Sequence, residues 1–171
     1  RSLLADAGPR VVLADAGTAA VVRDACDVVP TAVAVCTDGA PSGFSALSAL
    51  LANAAETPVP VAVSPDDLYN IMYTSGTTGM PKGIMHTQRI RAHYGTLFAN
   101  AWRLRPESVV LHTGAIVFNG AMVTLFPCFL QGATYVLHKQ FDAAALIETV
   151  AREQVTHLML VPSQIIAVLD A

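Results

Sequence analysis

Charge is scarce in this sequence: Asp, Glu, Lys and Arg make up 13% of its 171 residues, against 53% hydrophobic residues. That apolar content excludes disorder, and the charged share falls below the roughly 25% of an ordinary free-standing domain. Either burial is unusually extensive, or the chain presents faces that meet further protein; the abundance of alanine weakens the first reading. Basic residues form no block and the net charge is −3, so nucleic acid is not an expected partner. Cysteine is limited to Cys26, Cys36 and Cys128, an odd number without metal-ligand spacing. Free thiols in a reducing cytoplasm are expected, with no structural metal. The N-terminus has no basic segment followed by an unbroken apolar run, so no signal peptide is expected. Residues 113–137 carry no charge and are long enough to cross a bilayer. Gly114, Asn119, Gly120, Pro127, Gln131 and Gly132 interrupt them, and strand-like and helix-like pieces alternate, which argues against a membrane span.

What is present is an alternation of strand and helix patterns. Val11–Ala14 reads as a strand, and Thr18 is placed to cap a helix whose face is Val21, Val22, Ala25 and Cys26. Thr31–Cys36 reads as a second strand, and Phe44, Leu47, Leu50, Leu51 and Ala54 recur at helical spacing. Pro58, Pro60 and Pro65 mark residues 57–67 as an extended, exposed connector. It separates an N-terminal α/β unit, 1–56, from a larger α/β unit, 68–171. In the latter, Leu68–Thr74 reads as a strand and the stretch from Thr87 to Leu104 as a helix. Its expected apolar face is Ile90, Tyr94, Leu97, Phe98 and Ala101, with Arg89, Arg91 and Arg103 off that face. Strands follow at Ser108–His112, Thr134–Leu137 and Val155–Val161, and helices at Gly120–Leu130, after Asp142 and after Pro162. The fold expected is α/β, with a largely parallel sheet flanked by helices.

The segment Tyr73-Thr-Ser-Gly-Thr-Thr-Gly-Met-Pro-Lys-Gly83 carries the chemistry. Its glycines let backbone N–H groups approach an anion closely. Thr74, Ser75, Thr77 and Thr78 add hydroxyls, Lys82 adds positive charge, and nothing acidic intervenes, so the segment suits a polyphosphate. Placed between a strand and a helix, it would also gain from the partial positive charge of a helix N-terminus. It is not a Walker A loop, because Lys82 follows Pro81 and precedes Gly83. Ser75 does not sit in a G-x-S-x-G elbow, so no Ser–His–Asp arrangement is expected.

Tyr73–Gly83 resembles the signature loop of the adenylate-forming superfamily, which includes acyl-CoA synthetases, peptide-synthetase adenylation domains and luciferases. Asp66-Asp67-Leu68 before it, His86-Thr87 after it, and Phe141-Asp142, Val155-Thr156 and Val161-Pro162-Ser163 resemble the family's spacing, so the likeness extends over most of the chain. It implies part of the large N-terminal domain of an enzyme that couples a carboxylic acid to ATP and then passes the acyl group to coenzyme A, with magnesium on the phosphates. Under that resemblance Thr74, Ser75, Gly76, Thr77, Thr78 and Gly79 form the phosphate cradle. Lys82 is the charge partner of the phosphates and, with Thr78, a catalytic residue. The family's adenine-binding stretch, magnesium-associated acid, ribose-binding Asp and C-terminal catalytic Lys normally lie later than Ala171. The chain therefore reads as an internal fragment, expected to be inactive alone, and no metal ligand can be assigned in it.

Many CoA ligases carry an aromatic–His pair where this sequence has Ile116-Val117, which leaves His112, Val117, Phe118 and Asn119 as candidate acyl-pocket residues; Phe118 could equally be ordinary core. His86 has no acidic or nucleophilic neighbour in sequence, which favours a packing or hydrogen-bonding role. Thr77 and Met80 resemble the CoA-ligase form of the loop. A peptide-synthetase adenylation domain is the alternative within the same chemistry, and a non-catalytic phosphate binder the alternative outside it. The expected partners are a small carboxylic acid, ATP, coenzyme A and the remainder of the polypeptide.

Overall fold

The computed structural model describes residues 1–74 and 81–171. The chain divides into two compact units, one made of Arg1–Val63 with Tyr73–Ile84, the other of Ser64–Met72 with Met85–Ala171.

In the first unit, helix α1 (Ser2–Ala7) ends at Gly8, whose φ of 52° lets its N–H reach back to the Leu4 carbonyl. Strand β1 (Val11–Ala14) pairs in parallel with β2 (Val33–Cys36), and β2 with β3 (Ser45–Ala46). Alternation buries Val12 and Ala14 while Val11 and Leu13 face outward. Helix α2 (Ala19–Ala25) crosses from β1 to β2, and α3 (Leu47–Ala52) follows β3. Two expectations change here. Thr18 stands at the start of α2 but does not cap it: its hydroxyl donates to the Asp15 carboxylate at 2.7 Å, and its N–H does the same. Those bonds hold Asp15 below the ordinary carboxylate range. Val21 is exposed, so the inward face of α2 is set by Ala19, Val22 and Ala25.

In the second unit, β6 (Val109–Thr113) is the centre of a three-stranded parallel sheet, with β7 (Thr134–His138) on one side and β8 (His157–Leu158) on the other. Helix α5 (Asn119–Gln131) connects β6 to β7, and α6 (Ala143–Arg152) connects β7 to β8. The last helix, α7, is Pro162–Leu169. Strand β8 is shorter than the apolar run from 155 to 161 suggests. Thr156 spends its hydroxyl on the N–H and carbonyl of Val109, at 3.0 and 3.1 Å, and after Leu158 the chain leaves the sheet.

Helix α4 (Gln88–Ala101) is capped by Thr87, whose hydroxyl accepts from the Ile90 N–H. Its buried face is Arg91, Gly95 and Ala99, one position round from the expected stripe; Ile90 and Leu97 are exposed. The rotation follows from packing against α5. A Cβ on Gly95 would lie 3.1 Å from Leu130 Cδ2, so the hydrogen side chain is what admits the neighbouring helix. Ala99, Leu104, Val110 and Cys128 form the core beneath this contact. Strands β4 (Leu68–Thr74) and β5 (Lys82–Thr87) make a separate two-stranded sheet. The sequence segment between them therefore joins strand to strand, not strand to helix, and α4 begins only at Gln88, so no helix N-terminus directly follows the segment as expected.

Asp142 caps α6 as expected, accepting from the Ala145 N–H at 2.8 Å, and Leu146 and Thr149 are the buried positions. Asp142→Ala should lower stability by about 0.5–2 kcal/mol; a urea melt showing no change in midpoint would contradict this. Cys26, Cys36 and Cys128 are free thiols. Among the described residues no helix is long and apolar enough to cross a membrane.

Candidate functional site

The ends of the strands define one of two cavities in the second unit. It lies between the carboxyl ends of β6 and β8, where the segments leaving the two strands lead to α5 and α7. Crevices at the carboxyl ends of parallel strands are where open α/β sheets bind ligands. The cavity measures about 550 Å³ and its wall includes His112, Thr113, Phe118, Gly120, Met159 and Gln164. A second cavity of about 580 Å³ lies on the far side of Met159, among Trp102, Thr124 and His157. The Met159 side chain borders both, and its Cε would lie only 2.4 Å from a Cβ placed on Gly120.

His112 is buried and stacks on Tyr135, with ring centroids 6.3 Å apart. Its Nε2 lies 3.4 Å from the Ala115 carbonyl, while Nδ1, like the Thr113 hydroxyl, is buried without a hydrogen-bond partner among the described residues. Unpaired buried polar atoms are costly, so a functional site is a natural place to find them. Phe118 is 70% exposed at the start of α5, so it belongs to the cavity rim and not to the core. Val117 is 67% exposed and does not line the cavity. Asn119 turns its Oδ1 away to Arg91, 3.0 Å from Nη1.

Of the loop residues singled out from the sequence, Thr74 ends β4 and Lys82 opens β5, both exposed. Ser75, Gly76, Thr77, Thr78 and Gly79 lie outside the described residues. His86 is buried on β5 with its ring edge toward Tyr94, and its Nδ1 is 3.3 Å from Arg91 Nη2. Because a guanidinium only donates, that nitrogen is the acceptor and His86 is neutral with its hydrogen on Nε2. Burial, and then the Arg91 charge, push its pKa below the ordinary histidine value. His86 thus takes the packing and hydrogen-bonding role that its sequence surroundings favour. Among the described residues no group of three His, Cys, Asp or Glu side chains is placed to hold a metal.

Sequence reading missed Arg91, Gly120 and Met159. Arg91 had a signal: it lies four residues before Gly95 and eight before Ala99, a stripe of small residues marking the close face of α4. Met159 had none, because its place between the cavities depends on β8 ending early.

The profile of the AMP-binding enzyme family matches residues 1–171. The indoleacetate–CoA ligase of Aromatoleum aromaticum is 32% identical over 167 residues, covering 96% of this chain and 33% of that protein. Gramicidin S synthase 2 of Brevibacillus brevis is 37% identical over 122 residues, 67% of this chain and 3% of that protein. Among solved structures, the inhibitor-bound N-terminal domain of FACL13 from Mycobacterium tuberculosis superimposes with a TM-score of 0.78 at 28% identity, over 99% of this chain and 42% of that one. The chain spans about a third of the length of the indoleacetate–CoA ligase it resembles.

Proposed function

The chain belongs to the AMP-binding enzyme family, and on that premise we propose that the protein containing it activates a carboxylic acid with ATP and passes the acyl group to coenzyme A. The observation that carries the proposal is the unbroken run from Thr74 to Gly83 between β4 and β5, with hydroxyls, glycines and one lysine and no acid. In the first step a carboxylate oxygen attacks the α-phosphorus of ATP. The bond to the β-phosphate oxygen breaks, leaving an acyl-adenylate and pyrophosphate. In the second, the thiol sulfur attacks the acyl carbon, loses its proton, and releases AMP. Charge accumulates on the departing pyrophosphate, and Thr74, Ser75, Gly76, Thr77, Thr78, Gly79 and Lys82 are the groups assigned to neutralise and orient it.

The acid is assigned to the cavity at the end of β6. Phe118, Ala121, Phe141 and Met159 supply an apolar wall suited to a hydrophobic acyl or aryl group. His112 and Thr113 belong to the same wall, and among the described residues the buried His112 Nδ1 and Thr113 hydroxyl have no hydrogen-bond partner. The indoleacetate–CoA ligase, named for an aromatic acid, agrees with such a pocket. The present chain alone is assigned binding of polyphosphate without turnover.

The test is ATP-dependent pyrophosphate release by the intact protein with aliphatic and aryl acids, followed by thioester formation on adding coenzyme A. Release with no acid in the panel would sink the reading. The match to gramicidin S synthase 2 supports one alternative, an adenylation domain that loads a carrier protein. In that case amino acids, and not simple acids, would drive pyrophosphate exchange, and coenzyme A would yield no thioester.

A further inference from the structure

We infer that Arg91 is a positioning residue: its guanidinium ties β4 and β5, the strands on either side of the Ser75–Met80 segment, to the first turn of the helix that walls the acyl cavity. The consequence for turnover rests on the acid-activating reading; the tie itself is read from the geometry.

Arg91 projects from α4 and is only 2% exposed. Nε donates to Asn70 Oδ1 on β4 at 2.9 Å, and Nη1 donates to Asn119 Oδ1, at the start of α5, at 3.0 Å. Nη2 reaches Met72 Sδ on β4 at 3.1 Å and His86 Nδ1 on β5 at 3.3 Å. The planar group lies over the rings of Tyr94 and Phe126, with centroids 4.8 and 5.8 Å away. One cation carried by α4 thus meets two strands and the neighbouring helix.

Every one of these partners is neutral, and no ion pair of Arg91 occurs among the described residues. A buried charge with neutral partners is a poor way to stabilise a fold, and an apolar side chain of similar size often does better. Beside Gly95 and Ala99, a methionine would serve packing alone. What a methionine lacks is the fixed fork of donors, which sets the direction of each bonded neighbour. The neighbours matter for function. Asn119 stands between Phe118 and Gly120, both on the cavity wall, and β4 and β5 carry Thr74 and Lys82. A misplacement of about 1 Å in groups that orient reactants can cost on the order of 100-fold in rate.

The experiment compares Arg91→Met, Arg91→Lys and Asn119→Ala in the intact protein. Arg91→Met is expected to keep or raise the melting temperature while lowering ATP-dependent pyrophosphate release at least 10-fold. The KM for the acid should rise more than the KM for ATP, and amide exchange at Met122–Thr124 should quicken. Arg91→Lys keeps the charge without the fork and should fall between. Should Arg91→Met not fold, Asn119→Ala removes the bond to Arg91 together with the long 3.5 Å bond from Asn119 Nδ2 to the Tyr94 hydroxyl, leaves the guanidinium in place, and must show the same split in KM and the same local exchange. Unchanged turnover and exchange would overturn the inference. So would melting temperature, turnover and exchange throughout the unit all falling together, which describes a scaffold and nothing more. If the wild-type protein releases no pyrophosphate with any acid, the activity reading fails, while the exchange comparison still decides whether the tie exists.

Discussion

Replacing Lys82 with alanine is expected to lower adenylation efficiency about 10- to 150-fold, the equivalent of one charge-assisted hydrogen bond of roughly 1.5–3 kcal/mol. Lys82 opens β5 directly after Pro81, and its side chain is exposed. An exposed ammonium interacts weakly with its surroundings until a polyphosphate displaces the water around it. Its contribution should therefore appear on binding and grow as the β-phosphate oxygen takes charge in the transition state. That predicts a loss carried mainly by kcat, with little change in the KM for the acid. Lys82→Arg retains the charge on a longer, planar head and should recover part of the loss. Steady-state kinetics varying ATP at saturating acid, and the acid at saturating ATP, would check this, and unchanged constants in Lys82→Ala would remove the residue from the site.

The sequence made some of this architecture legible for identifiable reasons. Strand β4 was readable to its last residue because Gly76 and Gly79 follow it, and glycines end a strand by freeing the backbone. Asp142 announced α6 because a short carboxylate before an apolar run has one good use, bonding the first free N–H groups. Periodicity failed where it assumes that charge seeks water. Arg91 sits on the close-packed face of α4, so the stripe computed from apolar residues alone fell one position away. The pairing of β5 with β4 was hidden for a different reason. Lys82–Thr87 alternates poorly, and only the presence of a partner strand makes it a strand. In the cavity, Phe118 could be read from its proximity to the helix start, whereas Gly120 and Met159 are brought together by a fold contact between residues far apart in sequence.

That contact gives the other large expected effect. Gly120→Val should lower the efficiency toward bulky acids about 5- to 150-fold, since overfilling a packed site costs roughly 1–3 kcal/mol. The first added carbon would lie 2.4 Å from Met159 Cε, too close for that methyl to stay in place, while Sδ at 3.7 Å remains at ordinary contact distance. Methionine is flexible, so the thioether would swing, and the space it enters is one of the two cavities it borders. Gly120→Ala should therefore be mild and should favour smaller acids, while valine, branched at Cβ, leaves the thioether no such escape. Met159→Ala acts in the opposite sense, removing the partition and joining the two cavities into a longer one. The double variant Gly120→Val with Met159→Ala should regain most of the activity lost by the valine alone, because the displaced atoms are gone. Competition between a short and a long acid of the same series reads the effect without reference to protein concentration. Equal losses for both acids, or no rescue in the double variant, would mean that Gly120 is needed for the fold of α5 and not for the space above it.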